Sequence, residues 1–100
     1  MKSALEMARA YGVAVEYADL GDWGRAELRS EYDPQGPVIR INSRCTARLD
    51  GTERDDFVAR CVFHELYHHR EAVGDVRRQQ SRRAREDAAD AYARAMLALR

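Results

Sequence analysis

Leu5, Ala8 and Tyr11 recur at helical spacing, Ser3 and Glu6 form a capping-box pair ahead of them, and Gly12 follows as a natural stop. The pattern predicts a helix over 3–11. Val13, Val15 and Tyr17 alternate within a short β-branched and aromatic run, closed by the polar, Gly-containing stretch 19–24, which predicts a strand over 13–17. From 25 to 32 the alternation is weaker, with Ala26, Leu28 and Tyr32 on one parity and Arg25, Arg29 and Glu31 on the other. Asp33-Pro34-Gln35-Gly36-Pro37 is a strong turn signal before the apolar Val38-Ile39-Arg40-Ile41-Asn42, so the two runs predict a hairpin. Residues 43–51 show no sustained period and read as a connecting loop. Thr52 and Asp55 offer a second cap, opening a helix over 53–73 whose stripe is Phe57, Val58, Cys61, Val62 and Leu66 and whose breaker is Gly74. Ala84, Ala88, Ala89, Ala91, Ala93, Ala95, Met96 and Leu97 predict a last helix, with no clear cap between 76 and 85. The expected class is α+β: an N-terminal helix, a small three-stranded sheet, then two long helices.

Composition narrows the functional classes. One hundred residues, 45% hydrophobic and 34% charged, suit one soluble domain with one modest core. Seventeen basic and 17 acidic residues cancel, so no global field draws nucleic acid or an anionic membrane. No apolar run reaches spanning length and Glu6 stands where a signal peptide would be apolar, so the expected location is the cytoplasm, away from membranes. Cys45 and Cys61 are far apart and in no C-x-x-C pattern, and read as reduced thiols.

The first of the two long helices changes the picture. His64-Glu65-Leu66-Tyr67-His68 spells H-E-x-x-H. In a helix, positions i and i+4 share a face, so both imidazoles can hold one zinc ion with Glu65 beside them as a base. A catalytic zinc takes three protein ligands and keeps the fourth position for water. Glu86, 18 residues after His68, is far enough along for a return helix to bring it back as the third ligand. Asp90 lies one turn further on the same face, where it can accept a hydrogen bond from a ligand imidazole. Asp87 is the competing ligand, but at about 100° from Glu86 it would not share a face with Asp90. The expected activity is a zinc metalloendopeptidase of the H-E-x-x-H…E type, with ligands His64, His68 and Glu86, catalytic base Glu65 and supporting Asp90.

These two segments, H-E-L-Y-H and Glu86-Asp87-Ala88-Ala89-Asp90-Ala91-Tyr92-Ala93 with the Leu-containing stretch after it, resemble the ImmA/IrrE family of small zinc peptidases. That family pairs an H-E-L-x-H helix with E-x-x-A-[N/D]-x-F-A. The resemblance spans roughly residues 38–97 and implies a gluzincin, similar in size to the minigluzincins, with a zincin-like helix, sheet and two metal-binding helices. It further implies a protein substrate such as a helix-turn-helix repressor. It also implies that the strand before the active-site helix, here Val38 to Asn42, binds substrate backbone as an added strand. Tyr67 stands where the family often has Gly or Ala.

Other features leave alternatives open. Arg77, Arg78, Arg82, Arg83 and Arg85 have no acid between 76 and 85. They are either a solvated face balanced by Glu86, Asp87 and Asp90 or a patch for DNA phosphates or an acidic partner, and they crowd a helix start where positive charge opposes the dipole. The patch supports an alternative function, a non-catalytic binding module on a metallopeptidase fold. Cys61 is one turn before His64 and is either a small buried hydrophobe or a neighbour of the metal. His69, Tyr17 and Tyr32 are the candidates for steadying an oxyanion. Trp23 is either a core lid or an exposed contact.

Overall fold

A computed structural model describes residues 2–21 and 28–99, and the fold is α+β. Trp23 and the predicted strand positions Arg25 and Ala26 lie outside the described residues. Helix α1 (Ala4–Ala10) begins at Ser3, whose hydroxyl accepts from the Glu6 amide while Glu6 reaches back to the Ser3 amide, the capping box expected. Strand β1 (Ala14–Ala18) follows, then β2 (Ser30–Asp33) and β3 (Val38–Asn42). Asn42 caps a four-residue helix, α2 (Ser43–Thr46), within the stretch expected to be loop. The long helices are α3 (Gly51–Ala72) and α4 (Arg82–Ala98).

The expected hairpin forms, with β2 antiparallel to β3. The sheet order is β1-β3-β2, with β1 parallel to β3, so β3 is the central strand. This corrects the expectation that Val38–Asn42 binds substrate as an added strand. Both of its edges are already hydrogen-bonded, and β2 holds the edge on that side.

β3 divides the sheet chemically. Ile39 and Ile41 are fully buried and pack with Val62, Phe63 and Leu66 of α3 and Ala4 and Ala8 of α1. Arg40, on the opposite face, lies among its cross-strand neighbours Glu16 and Glu31 and also reaches Asp33 at 3.3 Å. α4 seats on α3 through Ala89 and Ala93, which have almost no exposed surface and let the two backbones approach. Tyr92 stacks against Tyr67 and meets Phe63 edge-on, so the Tyr at position 67 has an aromatic partner across the helix seam. Arg70 lies between the rings of Tyr11 and Tyr92 and donates to Asp75 at 2.7 Å, tying α1, α3 and α4 together at one end. No helix among the described residues is long and apolar enough to cross a membrane.

Two caps differ from expectation. α3 begins two residues early, with Asp50 at the cap, and Gly51 there takes a left-handed φ of 53°. Thr52 is thus within the first turn. α4 is capped by Ser81, whose hydroxyl accepts from the Ala84 amide. Gly74 ends α3 as expected, at φ 80°.

Asn42 is fully buried and has both polar atoms of its side chain engaged. Its Oδ1 accepts from the Leu20 and Arg44 amides, and its Nδ2 donates to the Gly21 and Leu28 carbonyls. Its own amide donates to the Arg29 carbonyl, which sets the entry to β2. Asn42→Ala removes all four side-chain hydrogen bonds and is expected to destabilise the fold by about 2–4 kcal/mol. Urea unfolding measures this, and a shift below about 1 kcal/mol would show that the clip is energetically minor.

Candidate metal centre

Three residues of α3 come together as a group able to hold a metal ion. His64, Glu65 and His68 each offer a ligand atom, and these atoms lie within 4.8 Å of one another. The helical period accounts for this directly: residues 64 and 68 are one turn apart on the same face, and their rings meet at 5.0 Å between centroids.

α4 brings its carboxylates against that face. Glu86 Oε2 lies 3.0 Å from His64 Nε2, and Glu86 Oε1 lies 3.1 Å from His68 Nε2. Asp90 Oδ1 accepts from His64 Nδ1 at 2.8 Å. Glu71, not anticipated from the sequence, plays the matching part at His68 Nδ1, also at 2.8 Å, and its side chain is almost wholly buried. It stands three residues after His68 on the same helical face, and that spacing was the available signal. A neutral imidazole has one N–H, and a carboxylate can only accept, so each ring commits its proton to the Nδ1 partner. The two Nε2 lone pairs then face the two oxygens of Glu86. That arrangement is repulsive until a proton or metal ion lies between them, so the donor set fits a cation. Asp87 is exposed and does not border the cleft over the site.

Glu65 is buried, and its Oε2 accepts from the Ser30 hydroxyl of β2 at 2.7 Å. Burial pushes its carboxyl above the ordinary range, opposed by the Ser30 hydrogen bond and the neighbouring His64 and His68 imidazoles. Two residues further along β2, the Tyr32 hydroxyl bonds His69 Nδ1 at 2.8 Å. Ser30 and Tyr32 advance about 6.7 Å along the strand, while Glu65 and His69 advance about 6 Å along the helix. Strand and helix therefore run side by side in matching steps. Burial holds His69 below the usual imidazole range, so the ring is a neutral partner for Tyr32.

The cleft over this site measures about 580 Å³. Five consecutive residues, 28–32, border it, with Phe57, Arg60, Cys61, His64, Glu65 and His68 from α3 and Arg82, Arg85, Glu86 and Asp90 from α4. Alternating side chains cannot all face one way, so the backbone edge of β2 forms that wall. Tyr32 borders the cleft and His69 supports it from behind. Tyr17, half exposed on β1 across the sheet, does not reach it.

Cys61 is 4% exposed and stands outside the metal-holding group. Burial raises its thiol to about 11, against the lowering effects of Ser30 and Arg29. At pH 8 only about one molecule in a thousand carries the thiolate, so iodoacetamide should leave Cys61 unmodified in the native protein and label it after unfolding. Peptide mass mapping reads this, and rapid native labelling of Cys61 would contradict its burial. The family models, curated proteins and solved structures compared with this chain include no match to it.

Proposed function

We propose that the chain is a zinc-dependent metalloendopeptidase, with His64, His68 and Glu86 as ligands and Glu65 as catalytic base. The observation that carries this reading is the convergence of both Nε2 atoms on the Glu86 carboxylate, with each Nδ1 backed by an acid and Glu65 beside them. Two imidazoles and one carboxylate are a familiar donor set for zinc that keeps a position open. Asp90 and Glu71 orient the rings and strengthen them as donors. When bound, zinc supplies Lewis acidity, polarising a carbonyl and lowering the pKa of water from about 15.7 toward about 7.

The protein's own groups carry the proton. Glu65 Oε2 is engaged by Ser30, which leaves Oε1 to take the proton of the attacking water and pass it to the leaving amine. Its raised carboxyl range favours holding that proton between the two steps. The β2 edge has a ladder partner only on its β3 side among the described residues, so an extended peptide can add there as a further strand with its carbonyl over the site. Tyr32, on the same wall, is the candidate for donating to the developing oxyanion, since its oxygen can accept from His69 and free its own proton. A helix-turn-helix repressor remains the substrate class that the family resemblance suggests.

Glu65→Gln is expected to retain about one zinc per chain and lose about 10²–10⁴-fold in peptide hydrolysis. Glu86→Ala is expected to lose the metal, with Asp87→Ala keeping it. Elemental analysis and a peptide-cleavage assay decide these, and cleavage by Glu65→Gln at the parent rate would end the peptidase reading. Glu71→Gln is expected to weaken zinc binding about 10–100-fold, measured by competition with a chromogenic chelator, and unchanged affinity would remove Glu71 from the site.

A further inference from the structure

The charges that border the cleft fall into two unequal sets. Every acid there has a partner: Glu65 has Ser30, Glu86 has both imidazoles, Asp90 has His64, and Glu31 has Arg40. The arginines are matched less well. Arg29 beside β2, Arg60 on α3 and Arg82 on α4 are exposed, border the cleft, and have no carboxylate partner among the described residues. Arg85 reaches Glu71 only at 3.7 Å, and its buried Nε has no hydrogen bond.

The placement of Arg82 and Arg85 is unfavourable in the isolated chain. They sit in the first turn of α4, a 17-residue helix with no acid there, so their charge adds to the positive end of the helix dipole. An anion in the cleft would relieve this and gain the guanidinium groups as donors. Of the sequence's arginine run, only these two face the site, while Arg77, Arg78 and Arg83 do not border it. The cationic groups therefore surround the proposed reaction centre from three elements and do not form one continuous stripe of the kind that tracks a nucleic-acid backbone.

We propose that the cleft selects peptides carrying a carboxylate close to the bond presented to His64 and His68, with Arg29, Arg60, Arg82 and Arg85 as the groups that receive it. This rests on the peptidase reading for the bond that is cut, and on the arginines for selectivity. The carboxylate can come from an Asp or Glu side chain or from a chain terminus.

Zinc-loaded Glu65→Gln protein, which binds without turnover, allows a test by fluorescence anisotropy with neutral-dye peptides of Ala and Ser. One peptide carries Glu residues and an amidated terminus, a second has Gln in their place, and a third has Gln and a free C-terminal carboxylate. The Glu peptide is expected to bind about tenfold more tightly than its Gln counterpart at about 50 mM salt, with the ratio shrinking at about 500 mM. Arg60→Glu with Arg82→Glu, checked for retained helicity and zinc content, should abolish or reverse that preference. Preference for the free terminus would assign the carboxylate to a chain end. Equal binding of all three peptides, or selectivity untouched by the charge reversals, would overturn the proposal. Tight binding of a short DNA duplex without discrimination among the peptides would also overturn it, in favour of nucleic acid. The two readings fail separately: parent protein that cuts no peptide while the variant still prefers Glu removes the peptidase, and equal cutting of Glu and Gln peptides removes the selectivity.

Discussion

Carboxylates confined to a half-buried site repel one another, and the contact between α3 and α4 gathers Glu65, Glu71, Glu86 and Asp90 around two imidazoles. The remainder of the structure serves that concentration. Ala89 and Ala93 keep α4 close enough for Glu86 and Asp90 to reach across, and Phe63 meets Tyr92 edge-on along the same seam. Arg85 offers Glu71 one cation, at 3.7 Å, which leaves most of the negative charge to the imidazoles or to a metal ion. A divalent ion held by His64, His68 and Glu86 would draw on the same contacts that pack the two helices together.

The sheet contributes position more than bulk. Central β3 supplies Ile39 and Ile41 to the core and Asn42 to the loops beyond it, while β2, carrying Ser30 and Tyr32, reaches the helix side chains. Glu65 is thus held from a different element than the proposed ligands. On the proposed reading, β2 therefore bears on Glu65 through Ser30, whereas α4 bears on His64 and His68 through Glu86 and Asp90.

What could be read from the chain followed the range of the interactions. The H-E-x-x-H group and the Glu86–Asp90 pair depend on a local period of 3.6 residues, so four-residue spacings were enough to place each pair on one face. The hairpin was legible because Asp33 to Pro37 concentrates turn chemistry in five residues. The central position of β3 was not, since a parallel pairing between β1 and β3 joins segments more than 20 residues apart and leaves no local mark. Glu71 was hidden for another reason: an acid near the end of a long helix resembles ordinary solvated surface until α4 covers it. Ser81 was overlooked as a cap because the arginines after it obscure the usual acidic first turn.

The residues of β2 alternate in chemistry as well as direction. Ser30 and Tyr32 face α3, whereas Glu31 and Asp33 face Arg40. A slip by one residue would turn Glu31 and Asp33 toward Glu65 and His69 and leave Arg40 facing a serine and a tyrosine. The misaligned strand would set acid against acid beside an already crowded carboxylate. The strand therefore carries its own check on alignment: the pairing that would displace Ser30 from Glu65 is also the one that electrostatics rejects during folding.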